Sequence, residues 1–221
     1  MGDVPNLLLA SLPKKTYRDL LPGLVPATLA FGRVLYEPEA HVEHVYFPAS
    51  CLVSLLTVTD RHLALEVGMV GREGIVGASL ALGVATSPVR ALVQGAGAAM
   101  RMSAGRFSSA LQRSPALRDG VHGYIHRLMN QISRTAACNR FHVVEKRLAR
   151  WLLMTRDRLG SDDFRMTHEF LAAMLGVRRV GVTEAAASLQ QRKLISYRRG
   201  SIRILDVAGL RAASCSCYVE I

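Results

Sequence analysis

The stretch from Thr167 to Ile204, THEFLAAMLGVRRVGVTEAAASLQQRKLISYRRGSIRI, constrains this chain more than any other. Phe170, Leu171, Met174 and Leu175 form one apolar stripe at helical spacing. Thr167 is placed to cap that helix, Glu169 puts negative charge in its first turn, and Gly176 stops it. Val182, Ala185, Ala186 and Leu189 then repeat at i, i+3, i+4, i+7, which predicts a second helix with one buried face. Its other face carries Thr183, Glu184, Ser188 and Gln191, with Arg178 and Arg179 at the N-terminal end. Ile195 and Tyr197, then Ile202 and Ile204, alternate with polar residues around Gly200 and predict a small hairpin.

A helix with a polar outer face and an arginine-bearing N-terminus is what entry into a DNA major groove requires. Arg198, Arg199 and Arg203 crowd the hairpin, where guanidinium groups suit phosphates along a duplex backbone. A helical corner beside a solvated basic hairpin would satisfy each piece separately. The ordered set of helix, turn, polar helix and basic ribbon is what favours double-stranded DNA as the partner.

The charge balance agrees: 28 Lys and Arg against 17 Asp and Glu give a formal net charge of +11. Such a balance favours polyanions, nucleic acid before acidic membrane. The start MGDVPNLLLASLPKK is a poor secretory signal, because Asp3 precedes an apolar run that is too short. Its Met-Gly opening lacks the Ser or Thr that myristoylation wants, Asn6 standing there instead. With no segment of membrane-spanning apolar length, the expectation is a cytoplasmic protein. Cys51 and Cys138 are isolated and Cys215 and Cys217 sit near the C-terminus, so reduced thiols are expected.

Upstream, the texture changes twice. Residues 6–25 look helical but broken by Pro13, Pro22 and Pro26. From about Ala27 to Met102, FGRVLYEP, VEHVYFP, CLVSLLTV, LALEVGMV, VRALVQ and AAMRM alternate with turn signals, predicting an antiparallel sandwich or barrel. Ser103–Ser114 reads as a short helix. A long helix starts near Pro115, with Leu117, Val121, Tyr124, Leu128 and Ile132 spaced close to a heptad seam. That stripe suits packing on its own domain or on a second copy of the chain. Asn139–Phe141 reads as a hinge, and Val144, Leu148, Trp151 and Leu152 predict another helix from about His142 to Leu159. The expected class is α+β, with an antiparallel β domain over 1–114, a connecting helix over 115–140 and a DNA-binding domain over 141–221.

This order, with the segments VYFP, VGREGIVG, VVEKRLARWLL and the stretch from Thr167, resembles the Crp/Fnr family of bacterial transcription regulators over nearly the whole chain. The resemblance implies a cupin-like jelly-roll sensor domain of the cyclic-nucleotide-binding type, a homodimer along the long helix, and a winged helix-turn-helix on a palindromic operator. Contact with RNA polymerase is part of the same implication. Arg179 matches the recognition-helix arginine that reads guanine in the family. Val180 and Glu184 stand where the family's usual half-site readers are a glutamate and a second arginine. They suit contact with a thymine methyl and acceptance from cytosine N4, and Val180 equally suits a structural place at the helix start. The recognition element would run from Arg178 to about Lys193, with Lys193 and the hairpin arginines on phosphates.

The effector region departs further from the family. Gly71, Glu73, Gly74 and Arg90 occupy the places of the ribose and phosphate ligands, but Ala91 follows Arg90 where a hydroxyl partner belongs. An anion pocket needs several converging donors, so a cyclic nucleotide is not expected, and another small ligand or none is favoured. No cofactor is predicted. The first cysteine is Cys51, against an N-terminal iron–sulfur set, and Cys215-Ser216-Cys217 offers only two thiolates by itself. His122 and His126 stand one turn apart with no third ligand in view, which makes them surface histidines before ligands. Haem stays open, because one axial histidine leaves little trace. The rival reading is a cupin-type metal- or small-ligand-binding protein, with His41, His44 and His62 on its strands and a basic C-terminus binding nucleic acid nonspecifically. No compact ligand motif supports it, and no Ser-His-Asp, paired-carboxylate or phosphate-loop signature points to an enzyme. A nucleotide-binding regulatory module without DNA function is opposed by the arginine-rich C-terminal hairpin.

Overall fold

Alternating apolar residues between Val25 and Ser103 close into two antiparallel sheets in the computed structural model, which describes residues 6–59 and 64–220. The strands are β1 (Val25–Leu29), β2 (Val34–Tyr36), β3 (His44–Pro48), β4 (Leu52–Val58), β5 (Ala64–Val70), β6 (Arg90–Gly95) and β7 (Gly97–Ser103). One sheet has the order β1-β7-β3 and the other β2-β6-β4-β5. Leu29, Phe47, Leu52, Leu56, Met69 and Val93 are buried. Phe107, on the helix α3 (Ala104–Arg113), meets Phe47 edge-on at 6.3 Å between ring centroids. This is the β-rich N-terminal domain that the strand texture predicts. Gly2, Asp3 and His62 lie outside the described residues.

One correction concerns its beginning. The lead segment holds two true helices, α1 (Leu7–Ala10) and α2 (Lys14–Leu20), but the β region starts at Val25, within the stretch expected to be helical, with the strand Val25–Leu29. Pro26 fits there because β1 lies at a sheet edge, where a missing N–H is tolerated. Asn6 anchors the lead segment. Its Nδ2 donates to the carbonyls of Pro48 at 2.8 Å and Gly74 at 2.9 Å, and its Oδ1 caps α1 by accepting from Leu9 N.

Contacts divide the chain into two compact units: Met1–Thr57 with Gly68–Gln131, and Val58–Val67 with Ile132–Ile221. The helix α4 (Pro115–Phe141) runs unbroken through the junction, so the packing boundary falls inside it, at Gln131/Ile132, while the expected hinge lies near residue 140. The backbone itself breaks only after Phe141. Leu117, Val121 and Tyr124 are fully buried in the first unit, and Leu128 and Ile132 are half-buried. Three positions of the heptad-like stripe are therefore spent on the chain's own core. The large apolar residue that α4 leaves most open in the first unit is Met129, 62% exposed.

In the second unit α5 (Val144–Leu159) is the central helix, with Leu148, Trp151, Leu152 and Leu153 buried. It ends at Gly160, whose φ of 64° is left-handed. After it come β8 (Asp163–Arg165), α6 (His168–Leu175), α7 (Arg179–Gln191), β9 (Ile195–Arg198), β10 (Ser201–Ile204) and α8 (Val207–Ala213), the small sheet having the order β8-β10-β9. The helix α8 is capped by Asp206, whose side chain accepts from Gly209 N at 2.9 Å. No helix among the described residues is long and apolar enough to cross a membrane.

Gly74 gives a direct check on the first unit. Any Cβ there would stand inside the ring of Tyr124, against which the glycine packs. Gly74→Ala should lower stability by about 1–3 kcal/mol through overpacking, read as a fall in the urea midpoint of the first unfolding transition.

Candidate nucleic-acid interface

The geometry of α6 and α7 follows from their ends. Thr167 Oγ1 accepts from Phe170 N at 3.1 Å and caps α6. Gly176, with φ of 60°, closes that helix in the left-handed conformation and turns the chain at once into α7. Val182, Ala185, Ala186 and Leu189 are all buried, and α7 packs on both α5 and α6. That burial fixes which face of α7 remains. Arg178, Arg179, Val180, Thr183, Glu184 and Gln191 are exposed and Ser188 is half-buried, so one continuous outer face holds every predicted contact residue of the helix. Val180 is 58% exposed, far from a core position.

Thr183 has a role that its spacing does not reveal. Its hydroxyl donates to the Arg179 carbonyl at 3.1 Å, and Nδ1 of His168 lies 3.0 Å from the same oxygen. With the hydroxyl hydrogen so committed, His168 Nδ1–H is the donor to Thr183. The His168 ring stacks on Tyr197, with centroids 4.2 Å apart and 18° between planes. One imidazole thus joins α6, α7 and β9. Gln190 adds a second tie, its Oε1 accepting from Tyr197 N at 2.8 Å.

The hairpin closes through Arg199 and Gly200, with φ of 51° and 77°. Ser201 pairs with Arg198 across the turn, so this is a two-residue loop of the I′ kind that suits strand twist. Arg198, Arg199 and Arg203 are exposed. Arg203 is held by Asp163 at 2.7 Å, so its charge is already partly answered. Lys193 follows α7 with φ of 58°, in a Schellman closure where Leu194 N donates to Leu189 O and Lys193 N to Gln190 O. Behind these groups Arg147 is buried, donating to the Leu175 carbonyl and to Asn139 Oδ1 at 2.8 Å. That guanidinium secures the end of α6 and escapes sequence patterning, since it reads as one more surface cation.

The proposed effector residues each engage neighbours of their own. Arg90 is paired with Glu37 at 2.8 Å, and Glu73 Oε1 accepts from Gly71 N at 3.2 Å within its own turn. Gly71 and Gly74 are buried, the latter against Tyr124. His41 forms a backbone bridge with Thr86, and the His44 ring lies 6.4 Å from that of Tyr46 between centroids. His122 and His126 are exposed, meeting Ala81 O at 3.4 Å and Asn130 at 3.1 Å.

The two-thiolate reckoning at the C-terminus needs correction. Cys215 and Cys217, after α8, meet Cys138 and His142 from the end of α4, and the four donor atoms all lie within 4.8 Å of one another. Sequence distance hid this, although the i, i+4 spacing of Cys138 and His142 was a visible half of it. Cys138 and Cys215 are hydrogen-bonded at 3.5 Å, which holds Cys215 below the ordinary thiol range and pushes Cys138 above it.

A β-rich first unit, a long helix and a helix-turn-helix followed by an arginine-bearing hairpin define the architecture. Residues 146–213 match the family model of the Crp-like helix-turn-helix domain. The second unit therefore contains a domain of that family, and the chain as a whole has the fold of Crp/Fnr transcription regulators. Among solved structures it is similar to a protein assigned to the Crp/Fnr regulators from Eubacterium rectale (TM-score 0.72, 15% identity, 96% of this chain and 99% of that one). It is likewise similar to a CRP-family transcriptional regulator of Thermus thermophilus (0.73, 18%, 88% and 100%). A third is the c-di-GMP-responsive global regulator CLP of Xanthomonas campestris (0.70, 18%, 87% and 99%). At such identities the shared property is the fold. No curated protein matches the chain in sequence.

The imidazole tie should make this corner of the second unit acid-sensitive. Burial, reinforced by nearby Arg179, lowers the His168 pKa below its ordinary 6.5. The unfolded chain then binds a proton that the folded one refuses, so stability present above pH 6.5 is lost as pH falls toward the folded pKa. Thermal unfolding at stepped pH should show that decline, and His168→Gln should make it shallower.

Proposed function

We propose that the protein is a homodimeric transcription regulator that reads a palindromic operator, with recognition helices in successive major grooves about one helical turn apart. The observation that carries this reading is the division of α7 into a buried small-residue face and an exposed polar face led by Arg178 and Arg179. Arg179 reads guanine through O6 and N7. Val180 and Glu184 set neighbouring preferences, which differ from the usual half-site of the family, and Ser188 and Gln191 line the same face. Thr183 serves chiefly to hold the helix, since its hydroxyl is already bonded twice. Lys193, Arg198 and Arg199 take phosphates, and Arg203 contributes less because Asp163 shares its charge.

The effector is a small ligand other than a cyclic nucleotide, or is absent. Arg90 supports this, being bound to Glu37 with no hydroxyl neighbour at Ala91. The homodimer forms along the face of α4 that includes Met129, because Leu117, Val121 and Tyr124 are occupied within the protomer. Any action on transcription runs through RNA polymerase, by contact or by obstruction.

Selection of bound duplexes from a random pool tests the reading. A palindromic site should emerge, and Arg179→Ala should relax preference at one symmetric position at a cost of about 1–3 kcal/mol per half-site. Enrichment of no site, or identical preference in the variant, would sink it. Arg198→Ala should weaken all sequences alike and lower the slope of log affinity against log salt by about one unit per protomer.

A further inference from the structure

The cluster at the C-terminus has no part in DNA reading as described above. Cys138 projects from the last turn of α4, His142 stands just after that helix ends, and Cys215 and Cys217 come from the tail beyond α8. The Cys138 and Cys215 sulfurs are 3.5 Å apart, and Cys217 Sγ is 3.6 Å from His142 Nδ1. A tetrahedral zinc ion with ordinary bond lengths sets sulfur–sulfur edges of about 3.8 Å and sulfur–nitrogen edges of about 3.6 Å. We propose that Cys138, His142, Cys215 and Cys217 bind a single zinc ion as a closed structural site.

The surroundings fit the charge of such a centre. Three thiolates and a neutral imidazole around Zn²⁺ leave one net negative charge. Arg150 is buried beside the cluster, its Nε donating to the Cys217 carbonyl at 3.2 Å and its Nη2 to Thr135 Oγ1 at 3.0 Å. It has no carboxylate partner among the described residues, and a buried cation without a counterion is costly. The monoanionic centre supplies that counterion. Ion entry has a path as well, since a shallow groove lined by Arg211, Ser214, Cys215 and Tyr218 opens next to the site. An iron–sulfur cluster suits the geometry less, because it spreads its ligands over several irons while these four atoms close on one point. Binding releases the thiol protons, and His142 ligates through Nδ1 while Nε2 keeps its hydrogen.

The test uses the full-length reduced chain. Protein purified without chelator should carry one zinc per chain by elemental mass spectrometry. After removal of zinc, cobalt(II) should give the strong d–d absorption of a tetrahedral site together with thiolate-to-cobalt charge transfer. Cys215→Ser should abolish that spectrum, His142→Ala should alter it, and Cys51→Ser should leave it unchanged. Because a serine variant can fail to fold, the wild-type protein gives the second readout: zinc should protect Cys138, Cys215 and Cys217 from alkylation and leave Cys51 labelling as it was. Metal-free protein with freely titrating thiols that takes up neither zinc nor cobalt would overturn the proposal. Equal protection of Cys51, or a Cys138–Cys215 disulfide that persists in reductant and excludes zinc, would overturn it too.

Discussion

The seating of α7 on α5 and α6 is the interaction on which the second unit depends. Val182 and Leu189 are completely buried and each contributes about 1.5–3 kcal/mol by leaving water. Ala185 and Ala186 between them are small enough for close approach of the helices. The same burial orients the outer face, so stability and presentation of the polar residues are set by one periodicity. Loss of that packing would not merely loosen the domain; it would also change which residues α7 turns outward.

Secondary contacts then fix what the packing leaves free. His168 bridges two helices and a strand, Gln190 ties α7 to the hairpin, and Arg147 holds the end of α6. They range from the exposed His168–Thr183 contact to the buried Arg147 guanidinium, where an unmatched partner is expensive. They make the relation between α7 and the hairpin specific rather than merely compact.

Sequence alone made much of this legible, and the reason is periodicity. The stripe of α7, the cap at Thr167, the stop at Gly176 and the alternation around Gly200 are local patterns with local causes. The six strand runs after Ala27 are of the same kind. Val25–Leu29 escaped because Pro26 reads as a breaker until an edge position excuses it, and α8 escaped because its seven residues are too few for a pattern. The Thr183 hydroxyl and the Cys138–Cys215 approach were hidden for another reason. They depend on partners 15 and 77 residues away, which no spacing rule reaches. The stripe at Leu117, Val121 and Tyr124 shows the converse: a seam-like period says a face is apolar, and only packing says which partner covers it.

Lys193 sits in a left-handed closure where glycine would rest without strain. The residue holds a cation at the C-terminal end of α7, the pole of the helix dipole that favours positive charge. It also keeps that charge on a backbone with a single conformation, so the ammonium leaves from a fixed point. A chain refined for thermal endurance alone would drift to glycine here and lose that fixed charge. The strained lysine therefore marks a place where backbone comfort and a fixed surface charge pull the sequence in opposite directions.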